Sequence, residues 1–338
     1  MKLFCTLLFA LFVGQATAGP IDDAASAWAR GDYAAELKIT RPLALKGEAW
    51  AQTFLGDSYA DGKGVTKNHA EAVKWYRLAA AQGNANAQFN LGTMYAKGQG
   101  VLQDYAEAVK WYRLAAAQGN ASAQFNLALM FDNGQGVLQD YAEAVKWYRL
   151  AAAQGIAKAQ FNLALMFDNG QGVLQDYTEA VKWYRLAAAQ GNAGAQTNLG
   201  LIYAKGQGVL QDFTEAVKWY RLAAAQGNAA AQFNLALKYD KGQGVLQDYA
   251  EAVKWYRLAA AQDYASAQVN LGGMYANGQA VLQDYTKAHA WYNQAATKGN
   301  AIAVKNRDTV AKLMTPQQIA DAQKLARDCL ARNFKGCD

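Results

Sequence analysis

Side chains able to do acid–base or metal chemistry are scarce in this chain of 338 residues. Its only histidines, His69 and His289, lie near opposite ends, so we expect no paired metal site or catalytic triad around them. The recurring Gly-x-Gly, as at Gly98 and Gly100, lacks the preceding strand and the Lys-Ser/Thr of a phosphate loop. Its recurrence indicates a turn. The sequence therefore predicts a protein that is not an enzyme and has no cofactor or metal.

The first 18 residues are typical of an export signal. Lys2 precedes an apolar run from Leu3 to Val13, and small residues end at Ala18, after which we expect cleavage. The run is too short to span a bilayer, so we expect no integral membrane segment after signal removal. The predicted location is the periplasm or the exterior.

Two cysteines remain in the predicted mature chain, Cys329 and Cys337. An even number of cysteines in an exported chain predicts a disulfide between them, and two reduced thiols are the alternative.

Tryptophan recurs every 36 residues, and tyrosine follows each one. The series is Trp75, Trp111, Trp147, Trp183, Trp219, Trp255 and Trp291. We therefore divide residues 49–300 into seven units, which are 49–84, 85–120, 121–156, 157–192, 193–228, 229–264 and 265–300. Residues 19–48 and 301–338 differ in composition and are predicted to be capping helices, because terminal repeats must cover an exposed face.

Each unit reads as two helices. Apolar residues recur at helical spacing before Gly98, which is expected to end the first helix in the left-handed conformation. Asp104 is predicted to cap the second helix, with Glu107 completing a capping box. Asn120 is expected to cap the next unit.

Differences between units fall mainly on one stripe of the first helices, and an invariant Asn lies within it. The Asn row comprises Asn90, Asn126, Asn162, Asn198, Asn234 and Asn270. Beside it lie Leu129, Leu165, Leu201 and Leu237, with Lys158 one turn before Asn162. We predict that these residues contact a protein or peptide, because an amide offers a donor and an acceptor to an extended backbone. The alternatives are that the Asn residues only organise packing and that the variable positions drift neutrally.

Aromatic residues occupy the same stripe in the first unit, at Trp50 and Phe54. They either anchor a partner or cover the N-terminal cap, and burial of aromatics favours the cap. The net charge is +6, and both signs alternate within the repeats. This mixed surface argues against a nucleic-acid partner.

The stretch AQFNLGTMYAKGQGVLQDYAEAVKWYRLAAAQGNA strongly resembles the Sel1-like repeat, a relative of the tetratricopeptide repeat. The resemblance covers seven units and implies an all-α, right-handed superhelical α/α solenoid whose concave face is lined by first helices. It implies a scaffold that binds other proteins or cell-envelope components. In tetratricopeptide domains an Asn at the matching place helps to hold a peptide carboxylate, and Lys158 resembles the Lys that accompanies it; the other units lack that Lys.

These observations predict a non-enzymatic interaction scaffold of the cell envelope or the exterior, binding a protein segment on the first helices. One alternative is a peptidoglycan- or β-lactam-binding envelope protein, since a cysteine-rich branch of the family is reported to bind or hydrolyse β-lactams. That branch has a Cys pair in each unit, where this chain has residues such as Ala80 and Gln88. A secreted effector that meets host proteins is the other alternative.

Overall fold

The computed structural model describes residues 19–332 and residue 337. The predicted signal, residues 1–18, lies outside this range. Contacts divide the chain into two compact units, residues 1–139 and 140–338, and each is described separately. The described residues of both units form helices connected by turns and contain no strand.

The helices of the first unit begin with two that precede the repeats. They are α1 (Pro20–Ala29), α2 (Tyr33–Leu45), α3 (Ala49–Asp61), α4 (His69–Ala81), α5 (Ala85–Lys97), α6 (Tyr105–Ala117) and α7 (Ala121–Asn133). The second unit contains α8 (Tyr141–Ala153), α9 (Ala157–Asn169), α10 (Tyr177–Ala189), α11 (Ala193–Lys205), α12 (Phe213–Ala225), α13 (Ala229–Lys241), α14 (Tyr249–Ala260), α15 (Ala265–Asn277), α16 (Tyr285–Ala296), α17 (Ala301–Ala311) and α18 (Pro316–Ala331).

The helix ends follow the local sequence signals, with one exception. Gly98 ends α5 in the left-handed conformation, with φ of 64°. The Asp104 carboxylate accepts from the Glu107 backbone N–H at 2.9 Å, and the Asn120 side chain accepts from the Ala123 N–H at 2.9 Å. The predicted capping box is wrong at Glu107: the Asp104 N–H already donates to the Tyr95 carbonyl at 3.0 Å, and the Glu107 carboxylate accepts from Lys110 instead.

Among the described residues, two that are not glycine adopt positive φ, and both lie where most repeats have glycine. Asp263 ends the sixth unit at φ of 64°, in line with the tolerance of Asp for this region. Ala280 has φ of 55° in the loop where the preceding unit has Gly244 at φ of 73°. This alanine therefore stores backbone strain.

Within the two compact units, successive helices pack against one another, from α1 to α7 in the first and from α8 to α17 in the second. The tyrosine that follows each periodic tryptophan and the leucine that follows each Asn of the row are buried, as at Tyr112 and Leu91. Trp111, in contrast, is half-buried, because it lies at the edge of the cluster that Tyr76 and Leu91 form. The architecture is an all-α repeat solenoid.

Both caps are attached to the neighbouring repeats. Phe54 packs edge-on against Trp28 of α1, with ring centroids 6.2 Å apart, so this aromatic covers the N-terminal cap. Trp50 lies edge-on to Phe54 at 6.1 Å. At the other end, α17 and α18 both pack against α16 of the last repeat. Within this cap, Cys329 of α18 and Cys337 form a disulfide with Cα atoms 5.5 Å apart.

Candidate protein-binding surface

The Asn row lies half-buried on the first helices, and most of its members donate a hydrogen bond inside the protein. Asn162, Asn198 and Asn270 each donate from Nδ2 to a tyrosine hydroxyl of the preceding second helix, at 2.9–3.0 Å. Asn90 donates instead to Asp57 of α3 at 2.9 Å. These contacts support a packing role. Each amide still has a second N–H and a carbonyl oxygen for other partners.

The tyrosine hydroxyls donate in turn to acidic residues of first helices. Tyr184 donates to Asp168 at 2.9 Å and Tyr256 donates to Asp240 at 3.2 Å. Burial raises the pKa of both tyrosines, which keeps the hydroxyls protonated and able to donate. The row is therefore a set of Asn, Tyr and Asp hydrogen bonds rather than a line of isolated amides.

The first repeat contains the tightest of these groups. Asp57 Oδ1 accepts from the Tyr76 hydroxyl at 2.6 Å and from Asn90 Nδ2 at 2.9 Å. Burial raises the pKa of Asp57 to about 6, although the Tyr76 hydrogen bond opposes the shift. Glu36 of α2 is fully buried nearby and accepts from Ser58 at 3.2 Å, and burial also raises its pKa.

The predicted leucines line the same helix face. Leu129, Leu165 and Leu237 are half-buried and Leu201 is exposed, and none belongs to the fully buried core. Lys158 is exposed at the start of α9. The four leucines thus remain at least partly accessible beside the Asn row.

A row of buried glutamines was not foreseen from the sequence. Gln88 is 4 % exposed; its Nε2 donates to the Ala80 carbonyl at 3.2 Å, and its Oε1 accepts from Gln118 at 2.8 Å. The same pattern recurs at Gln160 and Gln196. The first of these hydrogen bonds joins Ala80 and Gln88, the two positions that the resemblance assigns to the Cys pair of the cysteine-rich branch. The sequence signal for this row was the Ala-Gln pair, such as Ala87 and Gln88, which recurs at the same position of every repeat.

The face opens into clefts at its C-terminal end, within the second unit. One cleft of about 430 Å³ is lined by Leu237 and Asn270 together with Gly273, Tyr292 and Asn306. A second, of about 460 Å³, shares Tyr292 and Asn306 with it. The predicted residues Leu237 and Asn270 thus meet Gly273, a variable position of the same first-helix stripe, and Tyr292 and Asn306, which were not predicted to lie at the binding surface. Asn306 was detectable, because it follows Asn270 by one period of 36.

Within residues 19–332 and 337, no three His, Cys, Asp or Glu side chains gather where a metal ion could bind. His289 is buried in α16 at 4 % exposure, and burial lowers its pKa, so it packs as a neutral side chain. In the same part of the chain, no helix combines the length and apolar character needed to cross a membrane.

Comparison with known sequences identifies the repeats. The model of the Sel1 repeat family matches seven consecutive stretches: residues 51–84, 85–120, 121–156, 157–192, 193–228, 229–264 and 265–300. Together they span well over half of the chain. No curated protein matched.

The solved structures that resemble the chain include two Sel1-like repeat proteins. A Sel1 repeat protein from Oxalobacter formigenes is 36% identical over 72% of this chain and 96% of its own, with a TM-score of 0.64. The protein c5321, a protective antigen of uropathogenic Escherichia coli strains with an SLR fold, is 32% identical over 94% of this chain and 85% of its own, with a TM-score of 0.46.

Proposed function

Because this chain belongs to the Sel1 repeat family, we propose that it is a scaffold that holds a segment of another protein on its first helices. Sel1 repeat proteins generally mediate protein–protein interactions, and the family is generally non-catalytic. We place the scaffold in the cell envelope or outside the cell, on the evidence of the predicted export signal.

One observation carries the proposal: successive first helices present half-exposed leucines beside Asn amides that keep one unused N–H. Leucine side chains supply apolar contact area, and the amides supply hydrogen bonds to a peptide backbone. The tyrosine hydroxyls behind the amides fix their orientation. The face is thus prepared for an extended segment at little cost in side-chain ordering.

The test is photo-crosslinking in the native cell followed by mass spectrometry, with the reactive group on the exposed side of α9 at Lys158. The double variant Asn162→Ala, Leu165→Asp should lose the partner that the wild type captures. The matched control is Leu150→Asp, which places the same charge on the second helix α8 at a leucine 49 % exposed. If the double variant captures the same partner as the wild type, the first-helix face is not the binding surface.

A further inference from the structure

The last Tyr–Asn pair of the row occupies the same repeat positions as the first. Tyr292 of α16 corresponds to Tyr76, and Asn306 of α17 corresponds to Asn90, each 216 residues later, which is six periods of 36. The residue that corresponds to Asp57 at the same separation is Gly273. The two ends of the chain therefore differ in one member of an otherwise repeated trio.

The first trio shows what the pair can bind. Tyr76 and Asn90 both donate to one oxygen of the Asp57 carboxylate, at 2.6 and 2.9 Å. Hydrogen bonds to a charged acceptor are about twice as strong as those between neutral groups. Within the protein itself, a Tyr hydroxyl and an Asn amide thus donate to the same carboxylate oxygen. The Tyr76 hydrogen bond favours the charged form of Asp57, and it is burial of the carboxylate that raises its pKa. The same two donors facing an open cleft can bind a carboxylate with a smaller desolvation cost.

The last trio has the two donors but no acid. A Cβ added to Gly273 would meet only the Tyr292 hydroxyl oxygen, at 3.7 Å, so there is space for a group beside it. Val269 widens this space, because it stands where Phe233 packs against a tyrosine one repeat earlier. Within the described residues, neither Tyr292 nor Asn306 has a hydrogen-bond partner on its side chain.

The corresponding tyrosines of three earlier repeats, Tyr184, Tyr220 and Tyr256, do not combine an unpaired hydroxyl with free space beside it. Tyr184 and Tyr256 already donate to Asp168 and Asp240. Beside Tyr220 the position of Gly273 is taken by Leu201, a large apolar side chain. Only at Tyr292, among these, does an uncommitted hydroxyl face a cleft.

We propose that this cleft binds a carboxylate group of the partner, with the Tyr292 hydroxyl and the Asn306 amide as its donors. The inference rests on the proposed function and names the chemistry of one contact: an Asp or Glu side chain, or a chain terminus. Lys241 also lines the cleft and adds a positive charge. Asp240 lines it too, and its carboxylate accepts from Tyr256 at 3.2 Å.

The test is an NMR titration of the full mature chain with three peptides. Acetyl-Gly-Gly-Glu-Gly-Gly-amide carries a side-chain carboxylate, acetyl-pentaglycine carries a terminal one, and acetyl-Gly-Gly-Gln-Gly-Gly-amide carries neither. Saturable shifts of the Gly273 backbone amide and the Asn306 side chain are expected with a carboxylate peptide and not with the Gln peptide. The carboxylate peptide that saturates at lower concentration identifies the source.

Tyr292→Phe should weaken binding at least about tenfold, because it removes one hydrogen bond to a charged group. No saturable shift with either carboxylate peptide, or equal shifts with the Gln peptide, would overturn the proposal.

Two substitutions at Gly273 separate charge from volume. Gly273→Asp should abolish peptide binding, because its own carboxylate takes both donors as Asp57 does. Gly273→Ala adds a methyl group that fits the space and should keep the affinity within about threefold. Unchanged binding in the Asp variant, or equal loss in both, contradicts carboxylate recognition.

The outcomes are distinguishable from those for the proposed function. If the wild type captures a specific partner through α9 but the peptides do not bind, only the carboxylate contact fails. If crosslinking finds no specific partner, the scaffold proposal fails whatever the peptides do.

Discussion

Replacing Asp57 by Asn should stabilise the first unit at neutral pH and flatten its dependence on pH. The Asp57 carboxylate is drawn out of water between α3 and α4, and its pKa rises from 3.8 to about 6. The folded state therefore holds this proton more tightly than the unfolded state. The contribution of Asp57 to the free energy of unfolding is therefore greatest below about pH 4, falls as the pH rises toward about 6, and is absent above it.

The size of the effect follows from the shift. A difference of about two pKa units corresponds to about 3 kcal/mol at 1.36 kcal/mol per unit. Asn at this position keeps an oxygen that can accept from Tyr76 and Asn90, and it carries no charge at any pH. We expect the free energy of unfolding of the variant, relative to wild type, to gain about 2–3 kcal/mol between pH 4 and pH 7.

Groups around Asp57 set the controls. The hydrogen bond from Tyr76 and the charge of Lys63 lower the pKa of Asp57, whereas the charges of Asp61 and Glu36 raise it. Glu36 also has a raised pKa and remains in the variant, so a smaller slope of the same sign should persist. Asp23→Asn makes the same chemical change on the exposed start of α1 and should leave the slope of the wild type unchanged.

The assay is hydrogen exchange of α3 and α4 at several pH values, corrected for the intrinsic exchange rate, together with urea unfolding. Exchange reports the local unit, which matters because repeats unfold in segments. A variant that is destabilised by the same amount at pH 4 and pH 7 would refute the reasoning. In that case the two hydrogen bonds, and not burial of the charge, determine the contribution of Asp57.

Three further predictions concern the repeats and the C-terminal cap. Ala280→Gly should raise the free energy of unfolding by about 1 kcal/mol, because glycine adopts the positive φ without strain. Gly244→Ala should lower it, because the new Cβ would lie 2.3 Å from backbone atoms of Phe213. Urea unfolding midpoints measure both changes. Gln88→Ala should cost about 1–3 kcal/mol, because the buried Ala80 carbonyl loses its side-chain donor, and the exposed Gln118→Ala should cost less in the same assay. Cys329→Ser should cost about 2–3 kcal/mol in the chain-entropy picture, with faster hydrogen exchange confined to α16 and α18.

Local sequence signals predicted the helices well because the forces that end a helix act within a few residues. Gly98, Asp104 and Asn120 each work on the backbone three or four positions away, and the structure places each as expected. The capping box failed at Glu107 for the opposite reason. The Asp104 N–H donates to Tyr95, nine residues back, in a contact between two helices that a local pattern does not contain.

Burial was harder to predict where two residue types share a helix face. Trp111 and Tyr112 are adjacent and equally regular in the sequence, yet only the tyrosine is fully buried. The buried Gln88 was missed because a polar residue on an apolar face is inferred to be exposed unless its partners are known. Those partners, Ala80 and Gln118, belong to the helices on either side.

The differences between the repeats matter most where they touch the tyrosine hydroxyls. Some hydroxyls donate to a first-helix acid, as Tyr76 does to Asp57 and Tyr184 does to Asp168, although the two acids occupy different repeat positions. Beside Tyr220, Leu201 occupies the repeat position of Asp57. Gly273 provides neither an acid nor a large side chain, so the donors of the last repeat face a cleft. A sequence read one helix at a time shows Gly273 only as a weak helix former. The role of Gly273 in the cleft depends on Tyr292 and Asn306, which lie on two other helices.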